Sequence, residues 1–112
     1  MGTSNRPMTQ LDLNSHLAGM ASLPRSTTLL RENGLRCLLL HLKPGEEIPE
    51  HQTRGAITVH CLAGQASFVA NTDRAELVPY SLISIPAGTP HSVIAQQETL
   101  LLVTISDQTP AA

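Results

Sequence analysis

The chain has 112 residues, with 7 Lys+Arg against 9 Asp+Glu, so its formal charge is only −2. Leu, Ile and Val make up 28 of the 112 residues while Phe, Tyr and Trp together supply two, which predicts one ordinary domain with an aliphatic core and argues against disorder. So little positive charge, carried by Lys43 and six scattered arginines, excludes an electrostatic nucleic-acid surface.

The opening segment MGTSNRPMTQ holds no apolar stretch of secretory length, and no apolar run anywhere reaches about 18 residues. A soluble, cytoplasmic protein that touches neither membrane nor nucleic acid is expected. Leu11, Leu13, Leu17 and Met20 have a loose helical spacing that stops at Leu23-Pro24, so residues 1–26 read as an irregular arm with one turn of helix. From Thr27 the pattern becomes short aliphatic or β-branched runs, broken by Gly, Pro, Asn and Asp about every ten residues, the rhythm of an all-β sandwich or barrel.

Asn33-Gly34 lies between two apolar runs and predicts a tight hairpin, because both residue types tolerate the positive φ such turns use. Leu35 to Leu42 follows as a buried strand, ended by Lys43-Pro44-Gly45. Ile48–His51, Ala56–Leu62, Ala66–Ala70, Ala75–Val78, Leu82–Ile85 and His91–Ala95 are the next expected strands. The last, Thr99–Ser106, is too continuously apolar for an exposed edge. The predicted division is an arm over 1–26, a barrel over 27–106 and a tail over 107–112. Cys37 and Cys61 each lie inside an apolar run without zinc or redox spacing, and both read as buried small hydrophobes.

Two segments carry more than β rhythm. The first runs from Gly45 through His51 to Gly64; the second is Ile85-Pro86-Ala87-Gly88-Thr89-Pro90-His91. Together they resemble the two motifs of the cupin superfamily, G-x5-H-x-H-x3-4-E-x6-G and G-x5-P-x-G-x2-H-x3-N. Gly45, His51, Gly64, Pro86, Gly88 and His91 match. The resemblance, covering about Leu29 to Ile105, implies a double-stranded β-helix, or jelly-roll barrel, commonly dimeric, of the short stand-alone kind. It also implies a pocket holding His51 and His91. The other motif positions differ: Thr53 stands at the second histidine, Ile57 at the glutamate, Tyr80 at the second-motif glycine and Ala95 at the asparagine. Of the four metal ligands usual in the family, two remain.

A protein-held divalent metal needs about three donors. His60 is the third candidate, and strand periodicity bears on it: in a regular strand Ile57, Val59 and Cys61 share one face and His60 takes the other, whereas a bulge would reverse it. The metal set under consideration is therefore His51, His91 and His60, for one of Fe, Mn, Ni, Cu or Zn, or for none. His41 reads as a surface or interface residue, His16 carries no chemistry, and Glu46, Glu47 and Glu50 read as a solvated turn.

Three functions follow as expectations. One is a small-molecule-binding cupin of unassigned role, with or without a metal on its barrel histidines. The second is a metal-free ligand-binding or regulatory dimer, in which His51 and His91 donate hydrogen bonds to an anionic or carbonyl ligand. The third is a metal-dependent oxidoreductase or isomerase acting on a small polar metabolite. A homodimer is expected under each, because leucines on both faces of the strand from Leu38 to Leu42 are more than one small barrel covers.

Overall fold

A computed structural model of the chain describes residues 8–106. The first seven residues of the expected arm, and the expected tail, lie outside the described residues. The element order is α1 (Asn14–Ala18), a single 3-10 turn (Met20–Ser22), then β1 (Ser26–Glu32), β2 (Leu35–Leu42), β3 (Glu47–His51), β4 (Ile57–Ala63), β5 (Ala66–Ala70), β6 (Asp73–Leu77), β7 (Leu82–Ile85), β8 (His91–Ala95) and β9 (Thr99–Ser106). All paired strands are antiparallel. They form a five-stranded sheet, β1-β2-β9-β4-β7, facing a four-stranded sheet, β3-β8-β5-β6, so the expected all-β jelly roll is the observed fold.

Local chemistry accounts for the corners. Glu32 pairs with Leu35 across Asn33-Gly34, as the hairpin expectation requires, although only Gly34 takes a positive φ (77°) and Asn33 does not. At the β4–β5 turn, Gly64 has φ 89° and a Cβ there would lie 2.1 Å from the Glu98 carbonyl oxygen. This close passage is what glycine at that motif position provides. The polar turn expected over residues 71–74 is shorter, because β6 already begins at Asp73, and Asn71 alone takes the left-handed conformation (φ 54°).

The core lies between the sheets. Ile57, Val59 and Cys61 from β4 pack with Leu101, Val103 and Ile105 from β9, against Phe68, Val93 and Ala95 of the other sheet. β9 is central in its sheet, between β2 and β4, which is why its sequence is almost continuously apolar. Burying each such aliphatic side chain contributes about 1.5–3 kcal/mol.

The outer face of the five-stranded sheet departs from expectation. Leu39 and His41 are 1% and 3% exposed within the single chain. The His41 ring bridges the arm and the β8–β9 turn, with Nδ1 3.0 Å from the Leu23 carbonyl oxygen and Nε2 2.7 Å from Glu98 Oε2. His41 is thus a buried strap for the N-terminal arm, not a surface residue, and the outer leucine of β2 needs no second copy to cover it. Cys61 is fully buried, where burial pushes its thiol up from the ordinary value. Cys37 is only half-buried, its Sγ 3.5 Å from Thr104 Oγ1. The two cysteines are free thiols.

Candidate functional site

The two motif histidines meet because of a one-residue irregularity in β3. Glu47 pairs with Ile94 and Ile48 with Val93; continued regularly, Glu50 would stand opposite His91. The register shifts between Ile48 and His51, so His51 is the residue paired with His91. An extra residue of this kind also lets Ile48 and His51 face the same cavity although they are three apart. Pro49 sits inside the shift on an edge strand, where its missing N–H costs the ladder nothing.

The ring centroids of His51 and His91 lie 4.3 Å apart, inclined at 64°. Each ring is fixed by the same local device. His51 Nδ1 is 3.0 Å from the Pro49 carbonyl oxygen and His91 Nδ1 is 2.8 Å from that of Thr89, in both cases the carbonyl two residues back. A carbonyl oxygen only accepts, so each Nδ1 carries the proton. In the neutral imidazole Nε2 is then left as an acceptor. Neither Nε2 has a partner among the described residues.

His91 is held from a third side by Phe68, whose ring stacks on it at 5.7 Å and 16°. The contact follows from the register: Phe68 pairs with Val93 and Ala70 with His91, placing Phe68 diagonally across from the histidine. Burial pulls the His91 pKa below the ordinary histidine value. The Thr89 carbonyl opposes that shift, and the neighbouring His51 adds to it. His91 is therefore neutral at pH 7, while His51 stands at the exposed mouth.

Behind the pair lies a cavity of about 230 Å³. Its wall is mostly aliphatic: Leu38 and Leu40 from β2, Ile57 and Val59 from β4, Leu101, Val103 and Ile105 from β9, and Ile48 and Val93 from the opposite sheet. Ser26 and Thr53 supply its hydroxyl-bearing residues, and the Thr53 hydroxyl is already donated to the Gly55 carbonyl oxygen at 2.9 Å. Ile57, at the position of the family's glutamate, is 4% exposed and contributes only hydrocarbon.

His60 is not brought to this cavity. β4 is regular over Ile57, Thr58, Val59 and His60, whose partners run in step along β7 and β9, so His60 takes the outer face and its ring lies 6.5 Å from that of Tyr80. The strand's register shift falls later, between Cys61 and Ala63. Of the three proposed ligands the structure thus unites His51 and His91 and separates His60. Among the described residues no group of three or more His, Cys, Asp or Glu side chains is placed to hold a metal ion. Two imidazole nitrogens against an aliphatic wall fall short of the three protein donors a resident divalent metal needs, so the residues do not fit one. Of the nearby acids, Glu46 has other work: its Oε1 accepts from the Lys43 backbone N–H at 2.7 Å, and its Oε2 lies 3.8 Å from Arg25 Nη1.

Phe68, Ile48 and Ser26 are pocket residues that the sequence did not single out. For Phe68 a signal existed: it is the chain's one phenylalanine, in phase with Ala66 and Ala70.

Comparison with known proteins agrees with this architecture. The cupin-domain family model matches residues 38–106, more than half of the chain. No curated protein matches. Among solved structures, a conserved protein of unknown function from Streptococcus pyogenes is 28% identical, with 78% of this chain and 75% of that one covered and a TM-score of 0.69. A cupin superfamily protein from Desulfitobacterium hafniense is 19% identical over 95% and 94% of the two chains, with a TM-score of 0.74. The DMSP lyase DddQ from Ruegeria pomeroyi is 22% identical, with 78% of this chain and 48% of that one covered and a TM-score of 0.69. The last two likenesses establish fold alone. With its two glycine-punctuated motifs seated on adjoining corners of a jelly roll, and the family model spanning β2 to β9, the chain belongs to the cupin family.

Proposed function

We propose that this cupin binds a compact, largely apolar small molecule, whose polar end donates hydrogen bonds to Nε2 of His51 and His91, without a resident metal. The supporting observation is the pairing of two tautomer-fixed imidazoles with an otherwise hydrocarbon cavity. A volume of about 230 Å³ is below the roughly 300–1,000 Å³ of sites for drug-sized ligands, so the ligand is smaller than these. The acceptor character of Nε2 selects a neutral donor, such as a hydroxyl, over a bare carbonyl oxygen. Elemental analysis of untagged protein, with a thermal-shift screen of hydroxylated metabolites, tests this. Stoichiometric metal that disappears in the His51→Ala/His91→Ala variant would overturn the metal-free reading.

A second reading is favoured by one observation. A histidine that gives Nδ1–H to a carbonyl is also the form that presents Nε2 to a metal, so a divalent ion completed by ligand and water atoms is the alternative occupant. A metal-dependent oxidoreductase or isomerase reaction on a small polar metabolite belongs to this second reading. Pairing of two copies belongs to the proposal as well: Leu82, the partner of His60 across β4 and β7, and Tyr80, whose ring lies 6.5 Å from that of His60, are both exposed. A single-copy mass by light scattering would remove that element. A cytoplasmic location rests on the sequence; in the structure, no helix of the described residues is long and apolar enough to cross a membrane.

A further inference from the structure

A second cavity, of about 280 Å³, opens between β6 and β7, the outermost strands of the two sheets on that side. Its character differs from the first, since Asn71, Asp73, Arg74 and Ser84 contribute to its wall. The linings of the two cavities have one residue in common, Phe68. From the ligand reading above, on which this step rests, we infer that Phe68 is the specificity-determining partition of the pocket: its ring ends the histidine cavity, and so sets the greatest length of ligand the protein accepts.

Three observations support the assignment. Phe68 is buried at 4% exposure, yet is flanked on the second cavity's side by small residues, Ala70 on its own strand and Ala75 as its partner on β6. Neither alanine can close the space if the ring is withdrawn. Next, the ring is fixed rather than free to swing, because it stacks on His91, which is itself tied to the Thr89 carbonyl. The partition and the polar anchor are therefore one packed unit. Finally, the space beyond Phe68 is no smaller than the space before it, and its wall includes Ile83 and Ile85 as well as Ser84 and Arg74. A longer chain admitted past residue 68 would find hydrocarbon there.

The test uses straight-chain primary alcohols from four to ten carbons, whose hydroxyl suits the histidine acceptors, titrated calorimetrically into the parent, Phe68→Ala and Phe68→Leu proteins. While each added methylene is buried, affinity should rise about fourfold per carbon. In the parent the rise should stop abruptly at one chain length. In Phe68→Ala it should continue for about two carbons or more, and in Phe68→Leu for a smaller step. Phe68→Leu keeps most of the core volume, so the comparison stands even if the alanine variant does not fold. An unchanged cut-off in a folded variant overturns the partition. So does a uniform loss of affinity at every length, which would mean that Phe68 acts only by steadying His91. If the parent binds no alcohol of any length, the ligand reading fails, and the partition with it.

Discussion

Replacing Ile57 by glutamate places a carboxyl group in the wall shared by His51 and His91 and tests both halves of the site argument. Ile57 is 4% exposed, so the change removes about 1.5–3 kcal/mol of apolar burial. It also buries a polar group whose partners are confined to the two histidine rings, at a further cost of about 1–3 kcal/mol. A combined loss of about 2.5–6 kcal/mol should lower the melting temperature by about 10 °C or more, since about 1 kcal/mol corresponds to roughly 4–8 °C in a domain of this size. A third donor beside two histidine nitrogens, however, makes a plausible divalent site. Zinc or manganese held at about 100 times the dissociation constant would return about 2.7 kcal/mol to Ile57→Glu and nothing to the parent. The assay is thermal melting by circular dichroism, with and without metal, together with metal content after gel filtration. If Ile57→Glu melts like the parent in chelator, the wall at residue 57 is wet and the apolar-cavity argument fails. If the variant is destabilised yet takes up no metal, then residue 57 and the two histidines do not converge on one point. Stoichiometric metal in the parent would refute the insufficiency of two donors.

Other consequences are smaller in scope. His41→Ala removes the strap to Leu23 and Glu98 and should cost about 2–3 kcal/mol, with faster proteolytic cleavage in residues 19–25; an unchanged cleavage rate would mean that the arm is held elsewhere. Gly64→Ala forces a Cβ against the Glu98 carbonyl at a φ of 89° and should destabilise the fold by about 2–4 kcal/mol in urea titration, well beyond a generic surface change. Because the folded-state pKa of His91 lies below its unfolded value, the unfolded chain binds more protons in the window between the two. Stability should therefore be full above about pH 6.5 and fall as pH drops through that window. His91→Gln should remove this part of the slope, and a slope identical to the parent's would assign it to other groups.

The fold was legible because its signals are local. Asn33-Gly34, Lys43-Pro44-Gly45 and the Pro86–Pro90 corner each state a turn in residues that adopt it, and the aliphatic runs between them have strand length. Period two left His60 open, because it assigns the outer face only to a regular strand; the part of β4 that carries His60 is regular, and it is this register, not the sequence, that takes His60 away from the other two histidines. What escaped the sequence depends on distant partners. His41 alternates with leucines as a surface residue would, and becomes buried only because a carbonyl eighteen residues earlier and a carboxylate in the β8–β9 turn close over it. Phe68 was not singled out, because its place between two cavities depends on strands that the sequence does not bring together.

The shift at Pro49 shows why motif and chemistry separate in this chain. It delivers His51 to His91, and the carbonyls of Pro49 and Thr89 then orient both rings, so the pair is built by backbone alone. No metal is required to hold either imidazole in place, and no carboxylate is required to balance one. Thr53 and Ile57, in place of a histidine and a glutamate, therefore leave the geometry of the histidine pair intact. Thr53 turns its hydroxyl to its own loop, Ile57 adds hydrocarbon to the wall, and His60 belongs to the opposite face of its strand. The corner that in a metal-binding relative would be one edge of a coordination shell is here the polar end of an apolar slot, and the two free Nε2 atoms set the chemistry of that end.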